Sequence, residues 1–118
     1  MNTELINQRL SRQDLKKHNF DYYELACTQF VFSDLTDASF RGADCVRCKF
    51  NGAILDGVDF SNADLTGTDL TRASMRGCNL TNAILTGTNF NKVDLTGAII
   101  DTDVKLAKNL HTAIGFEK

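Results

Sequence analysis

The amino-acid sequence predicts an all-β solenoid with flat sides and a regular corner, and three observations carry that prediction. An apolar residue stands at every fifth position from Leu15 to Ile100 without exception. A second five-residue frame, two positions before the first, holds small side chains from Ser33 to Ala98, among them Ala43, Ala63 and Ala83. Seven of the 8 glycines, from Gly42 to Gly97, fall in one slot, two positions after the large residue.

The large frame excludes the ordinary elements. Five steps along an α-helix advance about 500°, which scatters these residues around the cylinder. On a flat strand an odd step sends successive members to opposite faces. The chain must therefore turn a corner every five residues, so that each pentad lays one short side and points a large and a small residue inward. The glycine slot marks that corner, where a positive φ or a close backbone approach selects Gly first and Asn second, as at Asn62 and Asn82. The sequence has 0 prolines, so every backbone N–H stays available to a neighbouring coil.

The number of sides follows from the finer pattern. Phe and Leu alternate from Leu15 to Phe40 and again through Phe50, Leu55 and Phe60, a repeat of ten residues or two sides. Four sides and about twenty residues per coil stack Phe20, Phe40 and Phe60 in one column and Phe30, Phe50 and Phe90 in the opposite one. Three sides would stack Phe on Leu.

Segments such as Ala63-Asp64-Leu65-Thr66-Gly67 and Val93-Asp94-Leu95-Thr96-Gly97 resemble the pentapeptide-repeat family, whose motif is A-(D/N)-L-x-x. The resemblance covers residues 13–102 and implies a right-handed quadrilateral β-helix, here of about four and a half coils. The first coil departs from the motif, with Gln13, His18 and Tyr23 in the small slot. An open solenoid exposes apolar core and unpaired backbone, so both ends are expected to be sealed. Residues 1–12 are predicted as an N-terminal cap, a short helix capped by Thr3 and carrying Leu5, Ile6 and Leu10. Residues 103–118 are predicted as a cap helix and tail, with the helix over 103–113 and Leu106, Leu110 and Ile114 at i, i+4 and i+8.

Composition narrows the function classes. At 118 residues, 42% hydrophobic and 24% charged, the chain has the size and make-up of one folded domain. A net charge of −2 argues against direct nucleic-acid binding, and no apolar stretch approaches the roughly 20 residues that cross a bilayer. Met1 to Ile6 carries no basic leader, so a cytoplasmic location with reduced thiols is expected.

Candidate chemistry is sparse. His18 and His111 lie in the predicted cap regions with no nucleophile at a recognisable spacing. Cys45-Val46-Arg47-Cys48 has the spacing of a redox pair or half a zinc site, but Cys45 fills a large slot and Cys48 and Cys78 fill small ones, so core packing explains all three. Cys27 falls on an outer corner. No catalytic residue, cofactor or metal site is expected; a thiol enzyme using Cys45 and Cys48 is the weakest alternative.

The carboxylates and outward apolar residues are the candidate interaction surface. Glu24, Asp44 and Asp64 recur every twenty residues and should stack about 4.8 Å apart, with Asp14 and Asp34 forming a shorter ladder. Tyr22, Val31 and Phe32 are expected to form an apolar patch near the N-terminal end, suited to a protein partner or a homodimer. The family resemblance also implies a sharper alternative, a DNA-mimicking rod that protects DNA gyrase or another topoisomerase. Against it, a solenoid of roughly 22 Å would replace a duplex carrying about 13 negative charges. Between Asp14 and Asp101 the chain sets twelve acids against eight bases. The expectation is a non-enzymatic, bacterial, cytoplasmic interaction or structural module that presents rigid polar faces to an unidentified protein partner.

Overall fold

The fold follows from where each backbone N–H goes. In the computed structural model, which describes residues 3–116, the pentad Ala43–Arg47 accounts for all five of its donors. Ala43 N–H closes a turn onto Phe40 O (3.1 Å), Asp44 N–H reaches Tyr23 O in the coil before (2.9 Å), and Cys45 N–H reaches Asp64 O in the coil after (2.8 Å). Arg47 N–H also reaches the coil after, at Thr66 O (2.8 Å). The remaining donor, Val46 N–H, is taken by the pentad's own Asp44 side chain (3.0 Å). No donor is left for water, and a proline in any of these places would delete one bond.

These bonds wind the chain into a tube with twenty residues per coil. Parallel bridges join residues twenty apart from Glu4↔Glu24 to Asn79↔Ile99. Four ladders result, one per side. Side A is Glu4, Glu24, Asp44, Asp64 and Ile84; side B is Arg9, Gln29, Lys49, Asp69, Asn89 and Lys108. Side C is Asp14, Asp34, Ile54, Ser74, Asp94 and Ile114; side D is Asn19, Ser39, Asp59, Asn79 and Ile99. Each side contributes a single bridging residue because the corner comes before a longer ladder can grow.

The corner demands positive φ at its second outer position, whatever residue stands there. Gly42 has φ 64°, Arg47 57° and Asn62 60°. With the i to i+3 hydrogen bond, this is a type II turn, which glycine and asparagine adopt at least cost.

The core fills as the period requires. Phe20, Phe40 and Phe60 stack with centroids 4.9 and 5.0 Å apart. Phe30 stacks on Phe50 at 5.0 Å, and the two columns meet edge to face, as Phe40 meets Phe50 at 5.7 Å. Leu25, Cys45 and Leu65 fill one of the other two walls and Leu35, Leu55 and Met75 the last, completely buried. Thr28, Ser33, Thr68 and Thr88 are also buried in the small frame. Each donates its hydroxyl to the carbonyl of a large residue one coil earlier, Ser33 to Leu10 O at 2.6 Å and Thr88 to Leu65 O at 2.6 Å. Thr28 and Thr68 do the same toward Leu5 and Cys45. A hydroxyl is therefore as acceptable as a methyl there, provided a carbonyl lies above it.

Two terminal expectations are corrected. No helix begins at Thr3; residues 4–12 already follow the turn-and-bridge pattern, with Leu5 and Leu10 partly buried against the core. The five-residue spacing of Leu5, Leu10 and Leu15 lets Leu5 N–H pair with Glu24 O (2.8 Å) and Leu10 N–H with Gln29 O (2.7 Å). A helix would have forfeited those bonds to the second coil. The bulky small-slot residues lie at this end, where Tyr23 packs edge-on against Phe20 and His18 lies 4.3 Å from the same ring.

The predicted helix over 103–113 is likewise absent, reduced to one 3-10 turn at Leu110–Thr112. The open edge of the preceding coil captures the segment instead. Lys108 N–H donates to Thr88 O (2.7 Å), Ile114 N–H to Val93 O (2.8 Å), and Leu95 N–H to Ile114 O (2.7 Å). A helix would have left that edge unpaired. Leu106 and Ile114, expected on a buried stripe, are 67% and 61% exposed.

Candidate interaction surface

The outward Asp and Asn residues are first of all backbone caps. Where the residue before a large core residue is Asp or Asn, its side chain lies along the surface and accepts the N–H two positions on, an Asx turn that recurs around the tube. Asp34 accepts from Thr36 N–H (3.1 Å), Asp64 from Thr66 N–H (3.0 Å), Asp94 from Thr96 N–H (3.0 Å) and Asn79 from Thr81 N–H (2.9 Å). Where Thr follows, its hydroxyl donates to the same oxygen, as Thr36 to Asp34 at 2.6 Å and Thr71 to Asp69 at 2.5 Å. These donors hold Asp34 and Asp94 below the usual carboxylate range. Partial burial pushes Asp69 up, but Thr71, Asn51 and Lys49 outweigh it and leave its pKa lowered.

Side D lacks the cap at Ser39, and the coil before supplies one. Asp21 accepts Arg41 N–H at 2.9 Å, the Ser39 hydroxyl, and the Arg41 guanidinium at 2.8 and 3.0 Å. Asp56 serves Ser74 (2.6 Å) and Arg76 N–H (3.0 Å) in the same manner. The pattern Ser-x-Arg preceded by Asp eighteen residues earlier is the signal for this variant.

The predicted ladder assembles. Glu24, Asp44 and Asp64 are bridge partners in series on side A, and Glu4 extends the series by one coil. Asp44 and Asp64 spend one oxygen on their own pentads. Asp14 and Asp34 also pair on side C, where Lys16 bridges them at 3.3 and 3.6 Å.

The predicted apolar patch does not assemble. Tyr22 and Phe32 are ten residues apart, which is two sides of the square, so they occupy diagonally opposite corners. Val31 stays with Phe32 and Tyr22 stands alone. Both rings are exposed, 72% and 58%, and each lies over the next coil's corner glycine. A Cβ on Gly42 would come within 2.5 Å of the Tyr22 ring, and one on Gly52 would press as closely on the Phe32 ring.

Three of the four thiols are core atoms. Cys45, Cys48 and Cys78 are buried and Cys27 is exposed. Burial, then the hydrogen bond and charge of Cys48, pushes the Cys45 thiol well up, and burial pushes Cys78 up to about 12. Cys48 Sγ donates to Leu25 O at 3.0 Å, in the position that threonine takes elsewhere. Cys45 and Cys78 are therefore protonated, and all three buried thiols lie out of reach of substrate, the opposite of a reactive cysteine. Among the described residues, no group of three His, Cys, Asp or Glu side chains is placed to hold a metal ion. Among the same residues no helix is long and apolar enough to cross a membrane. At the C-terminal end a shallow concavity opens between Ile100, Val104, Leu110, His111 and Phe116.

A twenty-residue parallel register, a type II turn in every pentad and paired columns of core side chains define the quadrilateral β-solenoids built from five-residue repeats. The pentapeptide repeats family model matches residues 33–72 and 63–100 in 8 copies, and the chain belongs to that family. Solved structures agree on the architecture, a right-handed quadrilateral β-helix. The chain is similar to the pentapeptide repeat protein Rfr23 of the cyanobacterium Cyanothece 51142, at 19% identity and TM-score 0.89, covering 95% of this chain and 90% of that one. It is also similar to a pentapeptide repeat protein of the Arabidopsis thaliana thylakoid lumen, at 28% identity and TM-score 0.83, covering 93% and 82%. A third likeness, at 24% identity and TM-score 0.70, is to HetL of Nostoc, a pentapeptide repeat protein involved in heterocyst differentiation regulation, covering 100% and 62%. No curated protein matches the sequence.

Proposed function

We propose that the chain is a non-enzymatic interaction module whose rigid sides dock a protein partner in a reducing compartment such as the cytoplasm. One observation carries the reading. Most backbone donors are consumed internally, and outward side chains stand in columns that repeat every coil, at about 4.8 Å. Such a surface holds its polar groups in fixed positions before any partner arrives, which lowers the entropic cost of association. Burial of Cys45 and Cys48 speaks against catalysis by that pair.

The alternative, a DNA mimic that protects DNA gyrase or another topoisomerase, has the side A carboxylates in its favour. Side B counts against it, because Arg9, Lys49 and Lys108 stand in that ladder where a mimic of duplex DNA would carry anions. A supercoiling assay decides that alternative: unchanged gyrase activity at saturating protein removes it. The main reading is tested by covalent cross-linking in the source cell followed by mass spectrometry. It predicts a discrete protein partner cross-linked through surface positions such as Glu24 and Lys49, and failure to find any partner would overturn it.

A further inference from the structure

The register sorts charge in a way that the net value of −2 conceals. Side B, with the corner that follows it, carries Arg9, Arg12, Lys49, Arg72, Lys92 and Lys108 against the single acid Asp69. Six of the chain's 13 Lys and Arg thus share one side with one of its 15 acids. All six are exposed, and among the described residues none lies within ion-pair distance of a carboxylate, unlike Lys16 and Arg41. The corner column is continuous, since Arg12 N–H donates to Val31 O and Arg72 N–H to Asn91 O, both at 2.9 Å.

An aromatic residue sits within this strip and is held there. Phe32 is 58% exposed, the Arg12 guanidinium lies 5.0 Å from its ring centroid, and the ring rests on the Gly52 corner. Half-buried Val31 adjoins it. A fixed aromatic ring among unpaired cations is the make-up of an interface hot spot.

We infer that side B is the docking face, and that its occupant is an acidic amphipathic α-helix of a protein partner, with carboxylates along one face and an apolar side chain for Phe32. This rests on the interaction-module reading and gives the partner its chemistry. From Lys49 through Arg72 and Lys92 to Lys108 the strip carries one cation per coil, about 4.8 Å along the axis, and an α-helix presents one residue per 5.4 Å turn on a given face. Over four repeats the mismatch is about 2.4 Å, within the reach of Lys and Arg side chains. A nucleic-acid occupant fits less well. Phe32 is the strip's single exposed Phe, Tyr or Trp, one stacking platform where a bound strand would use several. The flanking sides present Glu24, Asp44 and Asp64 on A and Asp14, Asp34 and Asp94 on C, which repel a phosphate backbone reaching past the strip.

The test is a fluorescence anisotropy titration of the intact chain with a labelled helix-forming peptide bearing Glu at i and i+4 and Leu on the same face. Three controls accompany it: the Glu-to-Gln peptide, a single-stranded oligodeoxynucleotide of equal charge, and circular dichroism of every variant. The native chain should bind the acidic peptide at least tenfold more tightly than the Gln version. The triple variant Lys49→Glu, Arg72→Glu, Lys92→Glu should lose at least tenfold, and Phe32→Ala several-fold, with the fold intact. Absent peptide binding, binding that ignores these substitutions, or an oligonucleotide bound as tightly as the peptide would each overturn the inference. Should a cellular partner cross-link equally to the native chain and the triple variant, side B fails as the docking face while the interaction-module reading stands.

Discussion

Replacing Asp64 separates two roles that a surface carboxylate can play. If its work is to cap the backbone, Asp64→Asn should be nearly silent, because the amide oxygen can still accept from Thr66 N–H (3.0 Å) and the Thr66 hydroxyl (2.5 Å). Asp64→Ala should not be silent. It strands a partly buried N–H that has no second partner in the ladder, and it removes two bonds to a charged acceptor. The loss of such groups costs about 1–3 kcal/mol, and partial exposure places this site near the lower half, about 1–2 kcal/mol. In a chain of 118 residues that is a fall in Tm of about 5 °C. Urea unfolding followed by circular dichroism measures both variants, with an unchanged m-value as the check that only stability moved. If Asn costs as much as Ala, charge and not hydrogen bonding is what the position supplies. If Ala costs nothing, the capping argument fails for the whole tube.

Other expectations follow from the same geometry. Gly52→Ala and Gly77→Ala both place a Cβ at positive φ, at about 1 kcal/mol, but only Gly52 sets it against a ring, so it should cost more; a double-mutant cycle with Phe32→Ala should recover the excess in thermal melts. Asp34 and Asp94 titrate lower in the folded chain than in the unfolded one, so their contribution is complete above pH 4 and lost as pH falls through the folded values below 3.8. The urea midpoint should therefore drop on acidification from pH 5 to pH 3 (about where unperturbed carboxylates titrate), and Thr36→Val and Thr96→Val should shrink that drop. Reaction of the native chain with an aromatic disulfide should label Cys27 quickly and Cys45, Cys48 and Cys78 only on unfolding, read by peptide mass spectrometry; rapid labelling of Cys45 would contradict the core assignment.

How much of this was legible depended on whether a feature repeats. The stack of Phe20, Phe40 and Phe60 was readable because it recurs in the register that the chain itself imposes, and the positive φ at Gly42 and Asn62 because those residues advertise it. The stretch 4–12 was missed since Gln8 breaks the small frame, as Gln13 and His18 do after it, although Leu5 and Leu10 keep the large one. At an end, where no coil lies below, bulk in the small slot clashes with nothing. The i, i+4, i+8 pattern of Leu106, Leu110 and Ile114 misled because helical spacing competes there with an open backbone edge, and the edge wins. Of the candidate surface, the carboxylate ladder was visible at twenty-residue spacing. The separation of Tyr22 from Phe32 was implicit in the same spacing, yet nearness in sequence suggested a patch. The cation strip was hidden by summing charge over the whole chain before sorting it by side.

The twenty-residue register also sets what lengthening or shortening this chain would do. Loss of one whole turn leaves every downstream side chain on its original compass bearing, only a step nearer the start. Loss of a single pentad keeps the inward rows filled yet rotates everything beyond it by ninety degrees, swinging Arg72 and Lys92 round to stand above Arg47 and leaving Phe60 above Leu35. Growth in units of four quarters preserves a binding face; growth by one quarter makes a different one.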